Sequence, residues 1–437
     1  MRSLLNRRNN RCLEHISTRL PRRFRHFITP MTNYRLDVQL LRTLRSRPFF
    51  LARIPIRHLI GILALGLAFI ASAQPSSTDK AASSSAAAST TAASTSASAA
   101  SAPVRKWLSP VPRVFGRMGV KDLGLVINTD DPYSVQVGEY YARARRIPEE
   151  QILRVSLPVK AGLTPAEFAD FSKKVDAFYG NKVQGLALAW RQPFSVDCNS
   201  ITGALALGYD GRLCSEDCRK PGHKSRLSSY FGSISTSPYK DHHMRLGMLL
   251  AAKDVEGAKA MIDRGVRSDG TLGLRGAPPV DVHYVTTSDE VRSVRQIFFP
   301  PAGPEPRVGI NVFLDQAEAL RNVDRVLIYM TGRATVDGLD TVGFVPGALA
   351  DHLTSFGGKL DDSFGQMNVL SWIEAGATAS YGTVSEPCAH FQKFPNPQVL
   401  LLYYIQGATA LEAYWKSVAW PQQGLFVGEP LAAPYGR

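Results

Sequence analysis

The stretch LGLVIN at 123–128 carries apolar side chains on both of its faces and runs almost directly into Asp131-Pro132. A strand of that kind has to be covered above and below, which is the condition of a parallel sheet rather than an exposed hairpin. The aspartate then supplies a helix N-cap and the proline a first helical residue, so a helix is predicted over 132–145. The same alternation recurs along the chain. Strands are predicted over 152–156, 183–190, 280–287, 323–330 and 377–384. Helices are predicted over 165–179, 255–264, from Asp289 onward, and over 346–356, 366–375, 397–405 and 409–418. Strands separated by helices predict an α/β fold, a mostly parallel sheet with helices on both faces. Residues 198–240 hold Cys, Gly, Ser and Pro without a clear period and read as an irregular excursion.

That fold has to come from residues 103–437. Between 76 and 102, 25 of 27 residues are Ala, Ser or Thr, too little apolar surface to offset the entropy of ordering, so 74–102 reads as a flexible linker. Ahead of it LIGILALGLAFIASA runs for fifteen uncharged residues behind Arg53, Arg57 and His58. A helix of that length reaches roughly 22 Å, short of the roughly 30 Å hydrocarbon core. With Ala71-Ser72-Ala73 closing the run, residues 1–73 read as a basic region and export signal cut before Gln74, the alternative being an uncleaved anchor. Translation from Met31 would shorten the basic region and keep the signal.

Charge follows the same division. Of 51 Lys and Arg, 14 fall within residues 1–58, and of 37 Asp and Glu only Glu14 and Asp37 do, leaving 37 basic against 35 acidic residues elsewhere. The body therefore lacks the basic excess that nucleic acid requires. No GxGxxG follows a strand, and GxxxxGK[ST], HExxH and GxSxG are missing too. No cofactor is expected.

Cys12 lies in the signal region, leaving Cys198, Cys214, Cys218 and Cys388. An even count in an exported chain predicts disulfides, in any of three pairings. The rival is a metal site built from Cys198, Cys214, Cys218 and His223. Cys388 ends a predicted strand and has His390 two residues away, which makes Cys388 with His390 or His352 the candidate nucleophile and base. Ligands in parallel sheets gather beyond the strands' carboxyl ends, where Asn128, Asp130, Arg191, Arg333, Asp337 and Glu386 all fall. These six are expected to cluster as a polar ligand site, an arginine gripping a carboxylate or phosphate by paired hydrogen bonds.

The segment NTDDPYSVQVGEYYARARRIP resembles the opening motif of an uncharacterised group of exported bacterial proteins. CNSITGALALG, ALADHLTSFGG, AGATASYGTVSEPC, KFPNP, EAYWKSV and LFVGEPLAAP extend the resemblance over about 119–437. That group accompanies exosortase, the membrane enzyme that sorts proteins bearing a C-terminal Pro-Glu-Pro signal. The resemblance implies export and a link to that system, and it brings no activity with it. A looser one ties LGLVIN with its helix, VDRVLIYM and AGATASYGTV to the gingipain-type caspase-like peptidases. Those carry His in a Gly-His-Gly turn after one strand and Cys after the next. Here the first place reads Met330-Thr331-Gly332-Arg333, and 341–357 has no cysteine, which implies a caspase-like shell with a lost or relocated dyad.

The resulting expectation is an exported envelope protein, periplasmic or at the cell surface and membrane-bound only if the signal stays. It would act by binding envelope proteins or surface polysaccharide of the sorting system. The alternative is a cysteine hydrolase built on Cys388.

Overall fold

The structure, a computed structural model, describes residues 108, 111–215, 217–219, 225–361 and 365–437. The export signal over 1–73, the linker over 74–102 and His223 lie outside the described residues.

The chain lays down β1 (Leu123–Asn128), α1 (Pro132–Arg145), β2 (Ile152–Val155), the short β3 (Gly162–Leu163), α2 (Pro165–Tyr179) and β4 (Gly185–Leu188). Next come β5 (Ser195–Val196), β6 (Asn199–Ser200), α3 (Ile201–Leu207), α4 (Pro238–His242), β7 (Leu246–Leu249) and α5 (Val255–Ser268). The second part adds β8 (Val280–Thr286), β9 (Gly303–Glu305), β10 (Ile310–Gln316), β11 (Val323–Gly332) and β12 (Val342–Leu353). It finishes with α6 (Leu370–Glu374), β13 (Ala379–Thr383), α7 (Pro397–Ile405), α8 (Ala410–Ser417) and β14 (Gly424–Gly428).

Local chemistry fixes the helix starts. The Asp131 carboxylate accepts from the Tyr133 N–H at 3.0 Å, and Thr164 with Glu167 and Thr409 with Glu412 form capping boxes ahead of α2 and α8. All six residues of β1 are buried. A side chain at Gly138 of α1 would strike Ile127, while Tyr179 of α2 packs over Gly124. Residues 124 and 127 of a strand point to opposite faces, so the two helices cover both sides of β1.

The main sheet has eleven strands in the order β2-β1-β4-β7-β14-β13-β12-β11-β8-β10-β9. Strands β2, β1, β4, β7 and β14 are mutually parallel, and so are β13, β12, β11, β8 and β10. The two sets meet antiparallel at β13 and β14, Tyr381 opposite Phe426. The seam is tight: a Cβ at Gly424 would collide with the Tyr381 hydroxyl. Each half winds in the same sense, β2-β1-β4-β7 and β10-β8-β11-β12, with a switch of direction after its first strand. The α/β expectation therefore holds, but as two parallel halves facing opposite ways.

Several elements differ from the sequence reading. The helix predicted over 346–356 is the strand β12, and the helix from Asp289 is a 3-10 helix, Arg292–Phe298. The helix over 366–375 shrinks to α6, and the excursion after Cys198 contains β6, α3 and α4. Strands β3, β5, β7, β9, β10 and β14 fall where the sequence predicts no strand.

Candidate functional site

The antiparallel seam decides which polar residues can meet. The carboxyl ends of β1 and β4 lie on one edge of the sheet, and those of β8, β11, β12 and β13 on the opposite edge. Asn128, Asp130 and Arg191 therefore belong to one edge, and Arg333, Asp337 and Glu386 to the other. The expected six-residue cluster is corrected: it assumed one strand direction throughout.

On the first edge the polar groups are spent on structure. Asn128 is fully buried, its amide donating to the Leu157 carbonyl at 3.0 Å and accepting from the Leu157 N–H at 2.9 Å. Asp130 takes the Ser156 hydroxyl. Arg191 donates to the Lys253 carbonyl at 2.9 Å. Each ties a strand end to the next loop.

The second edge carries a continuous polar rim. Arg333 follows β11 and grips Glu318 at 2.6 Å, with Asp337 at 3.9 Å. Asp289 contacts Arg292 at 2.7 Å, and Arg292 also reaches the Thr354 hydroxyl at 3.3 Å. Burial works against the Asp289 charge, yet the Arg292 N–H and guanidinium hold its carboxyl below the usual range. The Ser288 N–H lowers Glu318 in the same way. Thr354 in turn donates to Gln366 at 2.7 Å, and Thr383 donates to the carbonyls of Thr354 and Ser355 at 3.2 and 3.0 Å, carrying the rim across to β13.

Beyond β13 the cysteines close the rim. Cys198 is bonded to Cys214 and Cys218 to Cys388. The second bridge spans 170 residues and fastens the excursion to the loop after β13. Ser385 donates to the Cys198 carbonyl, and Gln423 reaches Ser385 at 2.6 Å and the Glu386 carbonyl at 3.1 Å. Glu386 accepts from the Cys388 N–H at 2.7 Å. Cys388 and Ala389 both adopt left-handed backbone, at φ 59 and 52. For residues with a Cβ that conformation costs roughly 1–2 kcal/mol each, so the surrounding contacts must enforce it.

Cys388 in this form has no thiolate to offer, and Cys198, Cys214 and Cys218, the thiols of the alternative metal site, are all disulfide-bonded. Sulfur and carboxylate atoms of Cys218, Glu386 and Cys388 lie within 4.8 Å of each other, yet the two sulfurs are joined. His352 is fully buried, its Nε2 contacting the Met367 carbonyl at 2.9 Å and its Nδ1 accepting from the Trp372 indole at 2.9 Å. Burial drives its pKa down to about 4, so the ring is neutral and both nitrogens are occupied. His390 packs edge-on against Trp420 with ring centres 5.6 Å apart.

Two residues near the rim escaped sequence reasoning. Lys393 ends the 3-10 turn Phe391–Lys393, is fully buried, and its Nζ has no hydrogen-bond partner among the described residues. Burial lowers its pKa to about 8, with Glu386 pulling the other way. Asp351 lies buried in β12 against Arg295 at 2.6 Å, and neither carboxylate oxygen takes a well-aligned hydrogen bond. Burial pushes the Asp351 carboxyl up and Arg295 opposes it. A lysine in FQKF and an aspartate in ALADHL carry no local mark of burial, because both environments arise from distant segments.

No protein-family model, curated protein or solved structure matches the chain.

Proposed function

We propose that this chain is an exported envelope protein that works by binding, as an accessory of an exosortase-type sorting system, and that the rim from Arg333 to Glu386 is its ligand-facing surface. One observation carries the reading. The edge where a caspase-like fold would place its dyad has Gly332-Arg333 after β11 and Thr354-Ser355 after β12, and its nearby cysteine is bonded to Cys218. What that edge does offer is paired guanidinium and carboxylate groups, which suit recognition of a polar polymer better than covalent chemistry. Two disulfides fit an oxidising compartment. Among the described residues no helix is long and apolar enough to cross a membrane.

The test incubates the oxidised full chain with casein and with exopolysaccharide from an exosortase-bearing bacterium. Co-sedimentation with the polysaccharide is expected, without release of peptides or reducing ends, and Arg333→Ala should abolish it while folding persists. Peptide release that iodoacetamide blocks would overturn the reading in favour of a Cys388 hydrolase. Absence of co-sedimentation would remove the polysaccharide as partner.

A further inference from the structure

A second concentration of charge lies away from the rim. Near the amino ends of β8 and β10 a cavity of about 460 Å³ is lined by Arg113, Arg117, Arg307 and Arg437, together with Phe115 and Tyr435, and no acidic side chain lines it. The arginines arrive from three separate segments: the loop before β1, the β9–β10 turn and the chain end. No local charge run explains their meeting. Residues beyond 58 hold only two more basic than acidic side chains, so four guanidiniums about one hollow are a sharp local departure.

Their bonding leaves charge unspent. Arg117 donates to a terminal main-chain oxygen of Arg437 at 3.1 Å, and the Arg437 side chain donates to the Gly273 carbonyl at 2.5 Å. Arg113 only overlies the Phe115 ring at 5.7 Å, and the Arg307 side chain makes no hydrogen bond or ion pair among the described residues. Phe115 is 81% exposed, and Tyr435 keeps a buried hydroxyl without a partner. Arg113 and Arg307 are exposed, and neither has an acidic partner among the described residues. Guanidinium forks match the oxygens of carboxylate and phosphate two at a time, and a cavity of this size admits a small organic ligand.

We infer that this cavity binds a small oxyanion carrying two or more negative charges on carboxylate or phosphate groups. Arg113 and Arg307 are the charges it neutralises, and the exposed Phe115 ring offers a face for its carbon frame. The site stands apart from the Arg333–Glu386 rim, and failure of either leaves the other standing.

Calorimetric titration of the full chain at low salt, with citrate and with inorganic pyrophosphate, tests it against trehalose as a neutral control. Binding below about 1 mM is expected for at least one anion, weakening as salt rises. Citrate alone would point to a carboxylate ligand and pyrophosphate alone to a phosphate. Arg113→Ala with Arg307→Ala removes no hydrogen bond, so melting should be unchanged while affinity falls about tenfold or more. If that variant melts early, Arg307→Gln alone serves as the second reading, with a smaller loss of affinity expected. No heat from either anion, or equal binding by wild type and a folded variant, would overturn the assignment.

Discussion

At the carboxyl end of β14 the Glu429 carboxylate is saturated. It accepts from the Tyr141 hydroxyl at 2.6 Å, from Arg145 through two nitrogens, and from the Leu431 N–H at 3.1 Å. Beneath the other edge, Asp351 meets one guanidinium and little else, and Lys393 lacks a hydrogen-bond partner among the described residues. The first half of the sheet thus closes its edge with its own hydrogen bonds. The second half leaves buried charge under-satisfied and is held shut by a covalent bridge from a segment 170 residues away. Folding stability alone would favour the first solution at both edges. An edge that departs from it is the better candidate for function.

The largest effect should come from the bridge itself. Replacing Cys218 and Cys388 by Ser frees a loop of 170 residues and should lower unfolding free energy by about 5 kcal/mol on the chain-entropy account. The same change at Cys198 and Cys214, 16 residues apart, should cost about 3 kcal/mol. Denaturant titration of the two double variants measures the gap, and equal losses would break the contrast between a staple and a local clip.

Next in size is the buried pair. Asp351→Leu leaves Arg295 only the Thr331 and Pro395 carbonyls and should cost about 3–5 kcal/mol, while adding Arg295→Met should restore part of it. The matching double change at Arg145 and Glu429 should stay destabilising, since the Tyr141 hydroxyl and Leu431 N–H lose their acceptor. Recovery at both sites would erase the difference between the edges.

The smallest effect is a pH dependence seated under the second edge. His352 is a base whose folded pKa, about 4, lies below its ordinary value of 6.5. Between those values the unfolded chain binds a proton that the folded chain refuses, so stability falls as pH drops through 6.5 toward 4. About 2 kcal/mol should be lost between pH 6.5 and 5. His352→Gln should lower stability at neutral pH yet flatten that slope, which melting curves at several pH values would show. An unchanged slope would move the origin elsewhere.

The first half was largely readable in advance, because its signals are local. LGLVIN, the Asp131-Pro132 start and the Thr164–Glu167 box each specify their element within a few residues. The strand β12 was misread because PGALADHL has a helix-favouring composition with a proline at its start. Placement between β11 and β13 overrides that propensity. Strands β7 and β14 are four and five residues long and buried throughout, which periodicity cannot separate from helix or loop. The even cysteine count was readable, and the pairing was not, since it depends on which distant segments meet. Strand direction is a long-range property too. That is why Asn128, Asp130 and Arg191 were grouped with residues on the opposite edge.

Disulfide mapping of the protein taken from the cells that make it tests the central claim most directly. Cells are alkylated before lysis, and the non-reduced protein is digested and analysed by mass spectrometry. A covalently closed second edge predicts linked peptides joining Cys198 to Cys214 and Cys218 to Cys388, with no alkylated Cys388. A major fraction carrying alkylated Cys388 would contradict it and return a thiol to the rim.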